Sequence, residues 1–299
     1  MTRQDHTTIR DEGLIPVEGG NVWYKIHGAD KTATPILCLH GGPGFPSYYL
    51  EPLKALATER PVILYDQLGC GRSDRPDDDS LWTLDRFVQE LHEVKNALQL
   101  DRFHLFGHSW GSMIVAEYLA GTTEGISTVT FAGPILSIET YLATVNKLKL
   151  GLPEATRNTL VEHEGDRSFF ATDYQEAYEA FMKAHWCRIS PFPDEIQRSF
   201  QEFNSEIFQT MWGQVEFFCT GNLVGFDRTD ILVDLHMPVL YTCGRYDITT
   251  PENVATYACM TEDSTLAIFE KSGHMTMNEE PELYTSTLSK FLNRQESSD

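Results

Sequence analysis

The stretch FHLFGHSWGSMI, residues 103–114, runs from an unbroken apolar segment through a glycine-bracketed serine into helix-forming residues. A near-continuous apolar run of this length is expected of a strand covered on both faces. Met113 to Leu119 then carries a helical pattern. Gly107-His108-Ser109-Trp110-Gly111 therefore sits where strand gives way to helix, the context in which G-x-S-x-G presents a nucleophile. Side chains in place of the two glycines would collide with neighbouring backbone on a turn sharp enough to lift the hydroxyl above the sheet. The N–H groups that open the next helix favour negative charge beside it. Taken alone, the pentapeptide also fits an ordinary Gly-Ser turn.

Apolar runs bounded by turn residues recur on both sides: VWYKIH (22–27), ILCLH (36–40), VILYD (62–66), VTFAG (129–133), VLYTCG (239–244) and LAIFE (266–270). Between two of them, Leu84, Phe87, Val88, Leu91, Val94 and Leu98 keep the spacing of an amphipathic helix. Strands alternating with helices predict a doubly wound, mostly parallel α/β sheet. From about 135 to 234 the alternation stops. Aromatic-rich helical patterns replace it in YQEAYEAFMKAHW (174–186) and IQRSFQEFNSEIFQTMW (196–212). The expected organisation is a core of residues 1–134 and 235–299 with an inserted helical cap at 135–234. The closing NRQESSD (293–299) reads as a frayed tail.

Bulk properties narrow the function. With 299 residues the chain can bury a sizeable core, and 41% hydrophobic with 22% charged residues is ordinary for a globular protein. The net charge of −21, from 23 basic and 44 acidic side chains, argues against nucleic acid as a partner. MTRQDHTTIRDEG (1–13) has no apolar core resembling a signal peptide, and no run approaches a membrane span. Cys38, Cys70, Cys187, Cys219, Cys243 and Cys259 are scattered without a CxxC pair. The expectation is a reduced, cytoplasmic protein with no metal site.

A serine hydroxyl needs a base to take its proton and a carboxylate to orient that base. Asp247 follows the run VLYTCG and His274 follows LAIFE, in the order Ser, acid, His, where neighbouring strand ends converge. Taken singly, Asp247 also suits a turn cap and His274 a surface loop. His108 is the nearest rival base, but alternation along a strand directs it away from Ser109. The segment LHGGPG (39–44) after another strand supplies backbone donors, so the oxyanion hole is assigned to the N–H groups of Gly42 and Trp110.

HGGPG (40–44), DQLGCGRSD (66–74), GHSWGS (107–112), GRYDITTP (244–251) and SGHM (272–275) together resemble the proline iminopeptidases over nearly the whole chain. MWGQVEFFCTGNLVGFD (211–227) is similar to the tricorn-interacting aminopeptidase and related amino-acid amidases. The resemblance implies an α/β-hydrolase fold and an enzyme that uses a serine and no cofactor. Such an enzyme removes amino-terminal residues, often proline, from short peptides or aminoacyl amides. It also implies that two glutamates read the free ammonium. The first falls on Glu216, which otherwise reads as a solvated cap charge; the second position holds Ile248, which cannot pair with an ammonium. Glu139, Glu206 and Glu279 are candidates to replace it, and Trp212, Phe217 and Phe218 to line an apolar pocket or simply to pack. Two other functions stay open: an esterase or lactonase on the same triad, and a receptor that binds without turnover. A dehalogenase or epoxide hydrolase is disfavoured, because position 109 is serine rather than a carboxylate.

Overall fold

Strand β5 (Phe103–His108) is buried at every position, as its continuous apolar run requires. The computed structural model describes residues 10–296. The expectation of no signal segment therefore falls largely on residues outside the described ones, as does the end of the tail at 297–299. Strands β3 (Ile36–Leu39), β4 (Val62–Tyr65) and β7 (Val239–Gly244) are likewise buried throughout. With β1 (Glu12–Val17), β2 (Gly20–His27), β6 (Ile126–Ala132) and β8 (Ser264–Phe269) they form an eight-stranded sheet. β1 escapes the sequence reading because it is a partly exposed edge strand that contains Pro16.

The strand order is β1-β2-β4-β3-β5-β6-β7-β8. β1 pairs antiparallel with β2, and β2 antiparallel with β4; every other pairing is parallel. The chain moves outward from β3 to β4 and then restarts at β5 on the other side of β3. The loops after β3 and β5 thus diverge at a switch point, the crevice where open α/β sheets place their ligands. LHGGPG and the Ser109 turn are those two loops.

Helices α1 (Leu84–Ala97) and α2 (Trp110–Gly121) follow β4 and β5. α3 (Ile138–Leu150), α4 (Glu154–Asp166), α5 (Thr172–His185), α6 (Asp194–Gln201) and α7 (Ser205–Met211) fill the stretch without strands. α8 (Pro251–Met260), α9 (Thr276–Glu279) and α10 (Pro281–Glu296) accompany the last strands. This inserted stretch leaves and rejoins the rest through a paired neck. Ile138 N–H donates to the Phe226 carbonyl at 3.0 Å, and Arg228 N–H to the Leu136 carbonyl at 2.9 Å.

The pattern at 196–212 divides into α6 and α7. Asn204 accepts the Glu206 N–H, capping α7, while its own N–H donates to the Gly44 carbonyl at 2.9 Å and its Nδ2 to the Gly69 carbonyl at 3.0 Å. Bonds to the sheet loops outweigh helix continuation. The tail also differs from expectation, since α10 continues to Glu296. That carboxylate accepts from Arg60, whose side chain is wholly buried, at 2.6 Å, so the last turn is pinned rather than frayed. No helix among the described residues is long and apolar enough to cross a membrane.

Candidate active site

Ser109 stands between β5 and α2 with φ 54° and ψ −120°, a conformation that costs a non-glycine residue about 1–3 kcal/mol. Its surroundings hold it there: the Ser109 N–H donates to the Ala132 carbonyl at 3.0 Å, and its carbonyl accepts the Ser112 N–H at 2.8 Å. A Cβ on Gly107 would lie 2.6 Å from the Gly111 carbonyl oxygen, and one on Gly111 would lie 2.6 Å from the Leu39 carbonyl oxygen. The bracketing glycines therefore answer to close backbone approach. Only 8% of Ser109 is exposed, and it borders a cavity of about 390 Å³.

Asp247 and His274 come from the loops after β7 and β8. His274 donates its Nδ1–H to Asp247 Oδ1 at 2.7 Å. The same oxygen accepts the Thr249 N–H at 2.8 Å, and Oδ2 accepts the Gly244 N–H at 3.3 Å, so the carboxylate is anchored by backbone. His274 Nε2 is buried without a protein partner among the described residues. The cavity is bordered by both His274 and Ser109. All three residues singled out in the sequence thus meet at one end of the sheet. The arrangement leaves one imidazole nitrogen available for proton transfer.

His108 has both ring nitrogens engaged. Nε2–H donates to the His274 carbonyl at 3.1 Å, so neutral Nδ1 accepts the Tyr49 hydroxyl at 2.8 Å. Burial holds His108 well below the usual histidine range, consistent with that neutral tautomer. The Tyr49 oxygen in turn accepts the Gly41 N–H at 2.5 Å.

Gly42 borders the cavity beside Gly41 and Ser109 with φ 130°. Trp110 opens α2, where its N–H has no intrahelical acceptor. The Trp110 ring is buried, and its Nε1–H donates to Gln67 Oε1 at 2.9 Å. Gln67 also gives its side-chain N–H to the His40 carbonyl at 2.9 Å and its backbone N–H to His40 Nε2 at 2.9 Å. Gln67 thus ties together the loops after β3 and β4 and the serine turn. Sequence reasoning gave no role to Gln67 or Tyr49. The quoted DQLGCGRSD segment held the signal for Gln67, while Tyr49 had none.

Aromatic and aliphatic side chains dominate the cavity wall, including Phe45, Tyr178, Trp186, Phe203 and Ile248. Among the described residues, Glu216 is the carboxylate bordering it. The Glu216 residue is half-buried where it borders the cavity. Burial pushes its carboxyl above the usual range, against the pull of the Tyr141 hydroxyl bonded to Oε1. Trp212 and Phe217 are buried in the core, Phe218 is exposed, and none of the three borders the cavity. The second-carboxylate candidates also lie elsewhere. Glu139 and Glu206 are exposed, and Glu279 binds backbone outside the cavity wall.

The family model for the alpha/beta hydrolase fold matches residues 34–281. The chain is 42% identical to a proline iminopeptidase of Heyndrickxia coagulans, covering 94% of this chain and 98% of that one. It is 33% identical to a proline iminopeptidase of Lactobacillus delbrueckii subsp. bulgaricus, over 94% and 97% of the two chains. The crystal structure of a Mycobacterium smegmatis proline iminopeptidase superposes with a TM-score of 0.90 at 30% identity, covering 96% of this chain and 100% of that one. Fold, shared sequence and converging strand-end loops agree, and the chain belongs to the proline iminopeptidase family of α/β hydrolases.

Proposed function

We propose that this protein is a serine aminopeptidase that cleaves the amide or peptide bond after an amino-terminal residue, proline among them, in short peptides or aminoacyl amides. The observation that carries the reading is the state of His274. Its Nδ1–H is held by Asp247 at 2.7 Å, while its buried Nε2 has no protein partner among the described residues and lies beside the cavity that Ser109 borders.

In this reading Ser109 Oγ attacks the substrate carbonyl as His274 Nε2 takes the hydroxyl proton. The N–H groups of Gly42 and Trp110 receive the developing oxyanion; losing one such donor costs on the order of 100- to 1000-fold in rate. His274 returns the proton to the leaving amine as the C–N bond breaks, leaving an acyl-serine. Water then attacks the acyl carbon and gives a proton to His274, which passes it to the departing Ser109 oxygen. Asp247 orients the imidazole and stabilises its charged form without becoming protonated. Glu216 receives the substrate ammonium, and the apolar wall receives the first side chain. No step calls for a cofactor.

Residues 135–234 serve here as a cap over a core made of 1–134 and 235–299, a division supported by the paired neck at Leu136–Ile138 and Phe226–Arg228. A cytoplasmic setting belongs to the same reading, supported by six free cysteines, four of them buried.

Ile248 supports a second reading, an esterase or lactonase. It is 2% exposed and borders the cavity in place of the second glutamate implied by the resemblance. Comparing a prolyl anilide with its N-acetylated analogue separates the two. The aminopeptidase reading expects cleavage of the free amine alone, and equal turnover of both would favour the esterase.

A further inference from the structure

The loop that carries His274 is bound to the inserted helices by its backbone. His274 N–H donates to the His185 carbonyl at 3.0 Å, and Met275 N–H donates to the Trp186 carbonyl at 3.0 Å. The two segments approach so closely that a Cβ on Gly273 would lie 2.5 Å from the His185 carbonyl oxygen. His185 reaches the other loop as well, its Nδ1–H donating to the carbonyl of Tyr246, the residue before Asp247, at 2.9 Å. One carboxylate spans this seam. Glu279 Oε1 accepts the Arg188 N–H at 2.7 Å, and Oε2 accepts the Gly273 N–H at 2.9 Å. Burial pushes the Glu279 carboxyl up to about 7, against the pull of those two donors. A partly buried acid in such a position needs a reason, and the bridge provides one.

We infer that Glu279 is a positioning residue for His274, clamping the imidazole's loop to the end of α5 so that the base is in register only while the cap is docked. The inference rests on the reading of His274 as general base. The cap then does more than cover the substrate, because its backbone completes the framework of the proton-transfer group. Glutamate suits the bridge because its two oxygens can serve two N–H groups at once. The glutamine amide retains one acceptor and turns an N–H group toward the other donor, while alanine removes both acceptors.

The test compares wild type, Glu279→Gln, Glu279→Ala and His274→Ala for prolyl-anilide kinetics, fluorophosphonate inactivation rate and thermal midpoint. Rates are normalised to titrated sites where titration succeeds and otherwise to folded protein. We expect Glu279→Ala to lower kcat by about 10- to 100-fold with KM changed less than threefold, and to slow phosphonylation in parallel. Glu279→Gln should fall between it and wild type, and its near-identical shape keeps the test valid if the alanine variant does not fold. A lower thermal midpoint with kcat per folded site within twofold of wild type would make Glu279 merely structural. A rise in KM alone would also overturn the inference. Substantial activity in His274→Ala would instead overturn the reading of the base, which separates the two failures.

Discussion

Replacing Glu216 with glutamine removes a charge from the cavity wall with almost no change of shape. The amide oxygen can still accept the Tyr141 hydroxyl that the carboxylate accepts now, so the local fold has little reason to move. The substrate ammonium, however, would enter a mostly apolar cavity without its counter-charge. Truncating one member of a buried, hydrogen-bonded charge pair costs 2–5 kcal/mol or more. Because Glu216 borders a cavity rather than lying in continuous core, about 2–4 kcal/mol is the appropriate range. At 1.36 kcal/mol per tenfold, this is about a 30- to 1000-fold loss of kcat/KM for prolyl anilide. KM should carry most of it, since the ammonium is bound in both ground and transition states. An acyl substrate lacking the amine, or any measurable N-acetyl-prolyl turnover, should change less than about threefold. Steady-state kinetics on the matched substrates decides the matter. Equal losses on both would remove Glu216 from the amine site.

Two further predictions concern titration and stability. Burial raises the Glu216 carboxyl, and an ammonium binds its ionised form, so KM for free-amine substrates should climb with falling pH from a higher pH than an ordinary carboxyl would give. Binding lowers that pKa again, so calorimetry of a free-amine inhibitor in buffers of different ionisation enthalpy should detect proton release. A pH-independent affinity would contradict the assignment. At the far end of the sheet, Glu296→Gln takes the counter-charge from wholly buried Arg60. Asn293 remains as a partner, so the expected loss is about 2–4 kcal/mol, read by denaturant unfolding, with kcat per titrated site unchanged.

The parallel strands were legible because burial on both faces writes itself as continuous apolar sequence, as in FHLFG and VLYTCG. The edge strand Glu12–Val17 was not, because partial exposure and Pro16 blur its pattern. The division between α6 and α7 depends on Asn204 bonding to Gly44 and Gly69, contacts that no local periodicity encodes. Ser109, Asp247 and His274 could be read from chain order and their strand-end positions. Orientation was harder. Trp212, Phe217 and Phe218 suit either a pocket wall or packing in the sequence; Trp212 and Phe217 pack in the core, and Phe45, Trp186 and Phe203 border the cavity. Glu279, offered there for the substrate amine, turns instead to two backbone N–H groups. Those contacts depend on which segment the inserted helices bring alongside.

In the proposed function, Ser109 is the nucleophile activated by His274. Fluorophosphonate labelling followed by peptide mass mapping, run in parallel with prolyl-anilide hydrolysis, tests it most directly. A single adduct on Ser109, formed in step with loss of activity and nearly abolished in His274→Ala, is the predicted result. Full hydrolysis by Ser109→Ala, or inactivation with the adduct on another residue, would contradict it.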